Sequence, residues 1–295
     1  MSGSAATDRA ASLPAGAPAG ARGIWLRDGD LAAFVANKPH PRVLFFGPAD
    51  GASMLAPYQG HEYYGIRSWF MEPEQTPVSG LPALVPSRLT RLAMSAARVD
   101  TGKEQVSGLS LGMTCVLEDK ALQITHRFVN ETNRTRRLAP WAITAVAPSA
   151  GWGVVPWPAG PRRVLVINAE ARVTDPILHH SEPGLVLDFA AMPDAPFIKV
   201  GLDADCGWLA CVGPDAGLRS EVAHQPGCHY PEGGGTVTMF RSGPMDGAEF
   251  AEIENVGPLQ TLAPGEAMEL HQKLTLRPGL DGMGPSAWLA LQEPE

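Results

Sequence analysis

The chain has 295 residues, 44% of them hydrophobic, and a net charge of −8. That length fits one large β-domain or two smaller ones. The acidic balance, with no basic cluster beyond Arg134, Arg136 and Arg137, argues against nucleic acid as a partner, and no run of about 18 apolar residues is present to span a membrane.

Residues 1–22, rich in Ala, Gly, Ser and Pro and without an apolar core of the signal-peptide kind, read as a disordered leader. The compartment is therefore either the cytoplasm or, for a mature form that has lost its signal peptide, the periplasm, with a soluble protein in both cases. From residue 23 the pattern is short strands between turn residues. Gly23–Arg27 is extended, Asp28-Gly29 is a hairpin signal, and Leu31, Ala33 and Val35 alternate. Lys38-Pro39-His40-Pro41 breaks the chain and Arg42–Phe46 resumes it, which makes a β-meander. Segment 55–80 is aromatic and irregular, with Tyr58, His61, Tyr63, Tyr64, Arg67, Trp69 and Phe70, and reads as a loop that lines something.

Strands are expected at about 92–99, 110–117, 122–129 and 138–146. Leu122, Ile124, His126 and Phe128 share one face of the third of these. Residues 149–161, with Trp152 and Trp157 among glycines and prolines, read as another loop. Further strands are expected near 163–167, 185–189, 197–202, 207–212, 218–224, 236–241, 249–256 and 267–276, with a short helix near 286–292. The Gly and Pro residues, 32 and 28 in number, follow no tripeptide period and serve as turns. Many short strands with turn signals roughly every 8–12 residues predict an all-β fold, a large antiparallel sandwich.

The most informative stretch is Glu249–Leu276. Glu252 and Glu254, two apart on a strand, share a face with Phe250, while Ala251 and Ile253 face the other way. Their spacing is about 7 Å. The expected picture is a pair of glutamates displayed at the edge of a β-scaffold. Like charges this close destabilise a buried strand unless something compensates or uses them, and Arg67 or Lys199 could hold one of them ionised. Lys199 lies on the face of Phe197, opposite Ile198 and Val200, as a rim charge or a cleft residue.

Other candidates each have a structural alternative. His179-His180 beside Glu182 lacks a third ligand at suitable spacing, so no metal site is expected. Gly233-Gly234-Gly235 after His229-Tyr230 is a turn, since neither a helix nor a Lys-Ser/Thr pair follows, so no nucleotide cofactor is expected. No Gly-x-Ser-x-Gly elbow is present. The four cysteines contain no CxxC pair and read as reduced structural thiols; a Cys206–Cys211 bridge is the alternative for an exported protein.

Three blocks, GIRSWFMEPE (65–74), LQITHRFVNETNRTRRLAPWAIT (122–144), and the run from FIKVGLD (197–203) through HYPEGG (229–234) to EIENVGPLQTLAPGE (252–266), resemble in their order the galactose mutarotase-like superfamily. The likeness spans about residues 23–277 and is greatest to a little-characterised bacterial branch. It implies a β-supersandwich domain over 23–277, a tail over 278–295, and a mono- or oligosaccharide as ligand. In aldose 1-epimerases of that superfamily a late-strand glutamate is the general base, a histidine the general acid, and an arginine and another histidine hold the sugar. By resemblance the base falls on Glu254, or on Glu252 two residues off, and the arginine on Arg67.

The acid histidine is missing: its place holds Trp141, whose indole is no acid at neutral pH. His61, His126 or His229 would have to substitute. Trp69 and Trp141 read as core residues or as sugar-stacking platforms; His126 as a satisfied core histidine or a ligand; His229 and Tyr230 as a turn or as cleft residues. Two functions follow: an epimerase-like or lyase-like carbohydrate-active enzyme with Glu254 as base, or a non-catalytic carbohydrate-binding protein or accessory domain of a polysaccharide-degrading system.

Overall fold

The computed structural model describes residues 12–73, 85–166, 176–193, 196–231, 233–243 and 249–291. Part of the leader (1–11), Glu74, Glu232 and the last four residues lie outside this set. The chain opens with the expected meander, β1 (Arg22–Asp28), β2 (Leu31–Lys38) and β3 (Arg42–Pro48), followed by β4 (Ile66–Met71). The hairpin β5 (Ser87–Ala93) and β6 (Ala96–Thr101) leads to three long strands, β7 (Leu109–Glu118), β8 (Ala121–Asn130) and β9 (Arg136–Val146). Shorter strands follow: β10 (Trp152–Pro156), β11 (Val164–Val166), β12 (Leu178–His180), β13 (Gly184–Asp188), β14 (Phe197–Leu202), β15 (Trp208–Val212) and β16 (Ala216–Val222). β17 (Val237–Ser242), β18 (Ala251–Val256), β19 (Gln260–Leu262) and β20 (Ala267–Pro278) precede a short helix, α1 (Pro285–Ala290). No described helix is long and apolar enough to cross a membrane.

These strands form two ten-stranded antiparallel sheets. Sheet A runs β1-β2-β3-β4-β9-β18-β17-β14-β11, with β19 added to β9; sheet B runs β12-β13-β10-β15-β16-β20-β8-β7-β6-β5. The sheets pack face to face on alternating residues. Val43, Ile66, Val146, Val200, Met239 and Ile253 of sheet A meet Val99, Met113, Ile124, Leu209, Leu218 and Leu274 of sheet B in one buried core. α1 closes one flank, with Trp288 buried and its Nε1 donating to the Pro278 carbonyl (2.9 Å).

The structure revises several expectations. The strand at 92–99 is two strands, because Met94 and Ser95 form the hairpin turn between β5 and β6. The aromatic segment is a strand in its middle, β4, whose sequence does not alternate because adjacent Arg67 and Ser68 are both polar, one bonded to Glu252 on the outer face and the other to His126 between the sheets. Residues 152–156 of the second expected loop form β10, and β12 and β19 were also not expected. Of the leader, residues 12–21 lie against the meander: Trp25 Nε1 donates to the Ser12 carbonyl (2.9 Å) and Ala21 is buried. All four cysteines are free, so Cys206 and Cys211 are not bridged.

Candidate active site

β18 is not an edge. It lies in the middle of sheet A between β9 and β17, and Glu252 and Glu254 are 5% and 1% exposed. Their side chains occupy the face of sheet A turned away from sheet B, since Ile253 between them enters the core. Register places Glu252 between Phe240 and Ala145, and Glu254 between Thr238 and Ile143.

Four charged groups meet on this outer face. Arg67 reaches across β9 from β4, and its Nη2 lies 2.6 Å from Glu252 Oε1. Lys199 reaches across β17 from β14, and its Nζ lies 3.1 Å from Glu254 Oε2. Each acid therefore has its own cation, and all four side chains are buried. Burial pushes the Glu252 carboxyl above the usual range; Arg67 opposes this, and the charge of Glu254 adds to it.

Glu254 is held by more than Lys199. Trp141 Nε1 donates to its Oε2 at 3.0 Å, and the Thr238 hydroxyl donates to the same oxygen. The Lys199 ammonium also lies over the Trp141 ring, 4.3 Å from its centroid. Trp69 packs edge-on to Trp141, with centroids 6.5 Å apart. Trp69, Trp141, Ile143, Val256 and Leu259 form an apolar cluster at this end of the row.

At the other end is an aromatic stack. Phe197 stacks on Phe240 (5.4 Å), Phe240 on Phe250 (5.1 Å), and Phe250 on Tyr63 (4.3 Å, planes 7° apart). Tyr63 is 43% exposed, so one ring of the stack is available to solvent. Arg67 lies 5.6 Å from the Tyr63 centroid, which joins the stack to the charged row. His61 leans on Phe250 (5.7 Å), and its Nδ1 accepts from the Tyr63 backbone N–H (3.1 Å). Burial and then Arg67 depress its pKa, so it is a neutral imidazole at pH 7.

Sequence reasoning brought together Glu252, Glu254, Arg67, Lys199, Trp69, Trp141 and His61, and the structure sets these on one face. His126 is not among them. It projects from β8 into the space between the sheets and is fully buried. Its Nδ1 accepts from the Ser68 hydroxyl (2.7 Å), and its Nε2 donates to Gln272 Oε1 (3.0 Å). Gln272 donates to Thr144 and Ser220, so its oxygen is left to accept, which fixes the His126 tautomer. Ser220 in turn bonds Asn255 of β18 (2.5 Å). His126 is a core histidine, and desolvation lowers its pKa to about 4.

His229 and Tyr230 make no hydrogen bond or ring contact with the charged row among the described residues. His229 is exposed, and its carbonyl accepts from Leu259 N (2.8 Å). The Tyr230 hydroxyl accepts from Gln225 N (3.0 Å) and its ring stacks on His224. Sequence reasoning missed Thr238, Phe240 and Arg42. Thr238 and Phe240 alternate onto the outer face, but only the β17–β18 register shows that they face the two glutamates.

Solved structures share this architecture. A galactose mutarotase-like protein from Lactobacillus casei is 14% identical, with 87% of this chain and 100% of that chain covered and a TM-score of 0.61. A candidate aldose 1-epimerase from Escherichia coli K12 is 14% identical over 88% of this chain and all of that one, with a TM-score of 0.59. A candidate mutarotase from Salmonella typhimurium is 13% identical over 86% and 90%, with a TM-score of 0.54. The chain therefore has the galactose mutarotase-like fold. No protein-family model matches the chain, and no curated protein matches it in sequence.

Proposed function

We propose that the outer face of sheet A binds a mono- or oligosaccharide without turning it over. The observation that carries this reading is the 3.0 Å hydrogen bond from Trp141 Nε1 to Glu254 Oε2. A general base must present an unoccupied lone pair to the proton it removes. Here one oxygen of Glu254 already receives Trp141, Thr238 and Lys199, and the side chain is buried. Where the resemblance expects an acid histidine, Trp141 instead donates to one oxygen of the carboxylate. Burial and then Arg67 lower the pKa of His61 on the same face, which weighs against it as the acid.

Binding itself is well supported. A sugar ring presents an apolar C–H face and a rim of hydroxyls, and Tyr63, exposed and backed by Phe250, Phe240 and Phe197, offers a flat partner for the first. His61 and Arg67 lie beside that ring for the second. The names carried by the solved structures of the same fold, mutarotase-like and aldose 1-epimerase, agree with a sugar ligand.

Glycan-array screening followed by calorimetry tests the reading, together with NMR exchange of glucose and galactose anomers. Sugar binding is expected, weakened about tenfold or more by Tyr63→Ala, with anomer exchange at the uncatalysed rate. An array with no sugar bound would remove the site. Accelerated exchange that disappears in Glu254→Gln would replace this reading with an epimerase using Glu254 as base, with Arg67 and Lys199 holding the substrate.

A further inference from the structure

We infer that a slot between β3 and β4 is a binding site for a small anionic group, with Arg42 as its principal ligand. The two strands are joined by a single register pair, Val43 and Ile66. Continued pairing would set Arg42 opposite Arg67, Pro41 opposite Ser68 and His40 opposite Trp69. Pro41 has no N–H to give to such a ladder, and sheet A opens here. These six residues form the lips of a narrow crevice that reaches down to Leu111 and Met113 of β7 in sheet B.

Three buried nitrogen donors on these lips have no hydrogen-bond partner: Arg42 Nε, Arg67 Nη1 and Trp69 Nε1. Arg42 is 1% exposed and Arg67 6%. Buried donors are nearly always satisfied, and each one left unmade is costly. Arg67 at least has Glu252. Arg42 forms no ion pair with any described carboxylate; its Nη1 donates only to the carbonyls of Glu62 (3.0 Å) and Tyr64 (2.9 Å), and its guanidinium lies over the Tyr64 ring at 4.0 Å. Burial lowers its pKa to about 10, which leaves it cationic at neutral pH. His40, half-buried beside it, is neutral there, with a pKa brought down to about 4 by burial and then by Arg42. A protein of net charge −8 thus buries two neighbouring guanidiniums, Arg67 bonded to Glu252 and Arg42 with only the charge of the exposed Glu62 nearby. The missing complement is a negative charge with acceptor oxygens, and a carboxylate or an inorganic oxyanion has that chemistry. Arg42 plays no part in the sugar reading; Arg67, which lines the slot, is common to both.

The test uses the full chain. Acetate, phosphate and chloride are each titrated at constant ionic strength, with thermal unfolding and calorimetry as readouts, and glucuronate is compared with glucose. A saturable rise in Tm with acetate, phosphate or glucuronate, absent with chloride and lost in Arg42→Gln, is the expected result. Tighter binding of glucuronate than of acetate would assign the anion to a sugar acid, and equal or weaker binding to a free anion; either outcome sustains the site. If Arg42→Gln does not fold, Trp69→Phe keeps a ring, removes one donor, and should weaken anion binding about tenfold. Unsaturable, identical responses to all the anions, or unchanged affinity in the variants, would overturn the inference and leave water as the occupant of the slot.

Discussion

β18 serves two polar systems of opposite character. On its inner side, Asn255 joins Ser220, Gln272, His126 and Ser68 in a chain of neutral groups between the sheets. On its outer side, Glu252 and Glu254 join Arg67 and Lys199 in a row of charges. The inner chain satisfies both nitrogens of its histidine. The outer row balances two acids with two cations and still leaves Arg67 Nη1 unbonded. Neutral networks in a dry interior can be closed by shape alone, since every donor finds an acceptor. Charges cannot, because each carries a desolvation cost that only an opposite charge offsets. The closed system reads as architecture and the one with spare donors as the place where something else binds.

Substitutions should separate the two systems by size of effect. The largest loss is expected for Lys199→Met, which strands Glu254 in a buried setting and should cost about 3–5 kcal/mol in denaturant unfolding. The double variant Lys199→Met/Glu254→Gln should recover most of it; no recovery would mean that the pair does not act as a charge pair.

Acid should break the inner system next. The His126 imidazole titrates near 6.5 when unfolded and at about 4 when folded. Its contribution is therefore complete above pH 6.5 and is lost as pH falls towards 4, where the unfolded chain binds the proton more readily. The loss amounts to about 3 kcal/mol. His40 titrates in the same window, so the decisive measurement is the difference between wild type and His126→Gln, whose stability should fall less steeply over that range.

Trp141→Phe keeps a ring over Lys199 but removes one donor from Glu254, at a cost of about 2 kcal/mol. A loss no larger than that of an exposed substitution would mean that the indole does not restrain the carboxylate. The smallest effect, about 1 kcal/mol, is expected for Ser68→Ala, one neutral bond among several. Should Ser68→Ala exceed Trp141→Phe, the contrast between the two sides of β18 would have to be reversed.

Much of the scaffold could be read from the sequence where one sheet face is apolar and the other is not. Ala121–Asn130 and Ala251–Val256 alternate, and their strands fall where expected. Ile66–Met71 sets polar Arg67 and Ser68 side by side ahead of three large apolar residues, so it does not alternate and the strand that carries Arg67 reads as a loop. The charged row could be inferred in outline, because two acids two residues apart on a buried strand require cations. The assignment of Arg67 to Glu252 and Lys199 to Glu254 could not, because it depends on which strands flank β18. Trp141 departs from the family pattern in sequence, but its hydrogen bond to Glu254 is visible only in the fold. Arg42 carried no signal at all: its place beside Arg67 arises from a sheet that parts after one residue pair.

The alternation along β18 has a consequence for assembly. Successive side chains are Glu252, Ile253, Glu254 and Asn255, and a slip of one residue against β9 or β17 would turn both carboxylates inward towards Leu209 and Leu218 and set Ile253 among the charges of the outer face. Few misalignments in the molecule would be so costly, because both faces fail together. The strand acts as a gauge block between its neighbours: the residues that define the outer face also dictate where the central strands of sheet A come to rest.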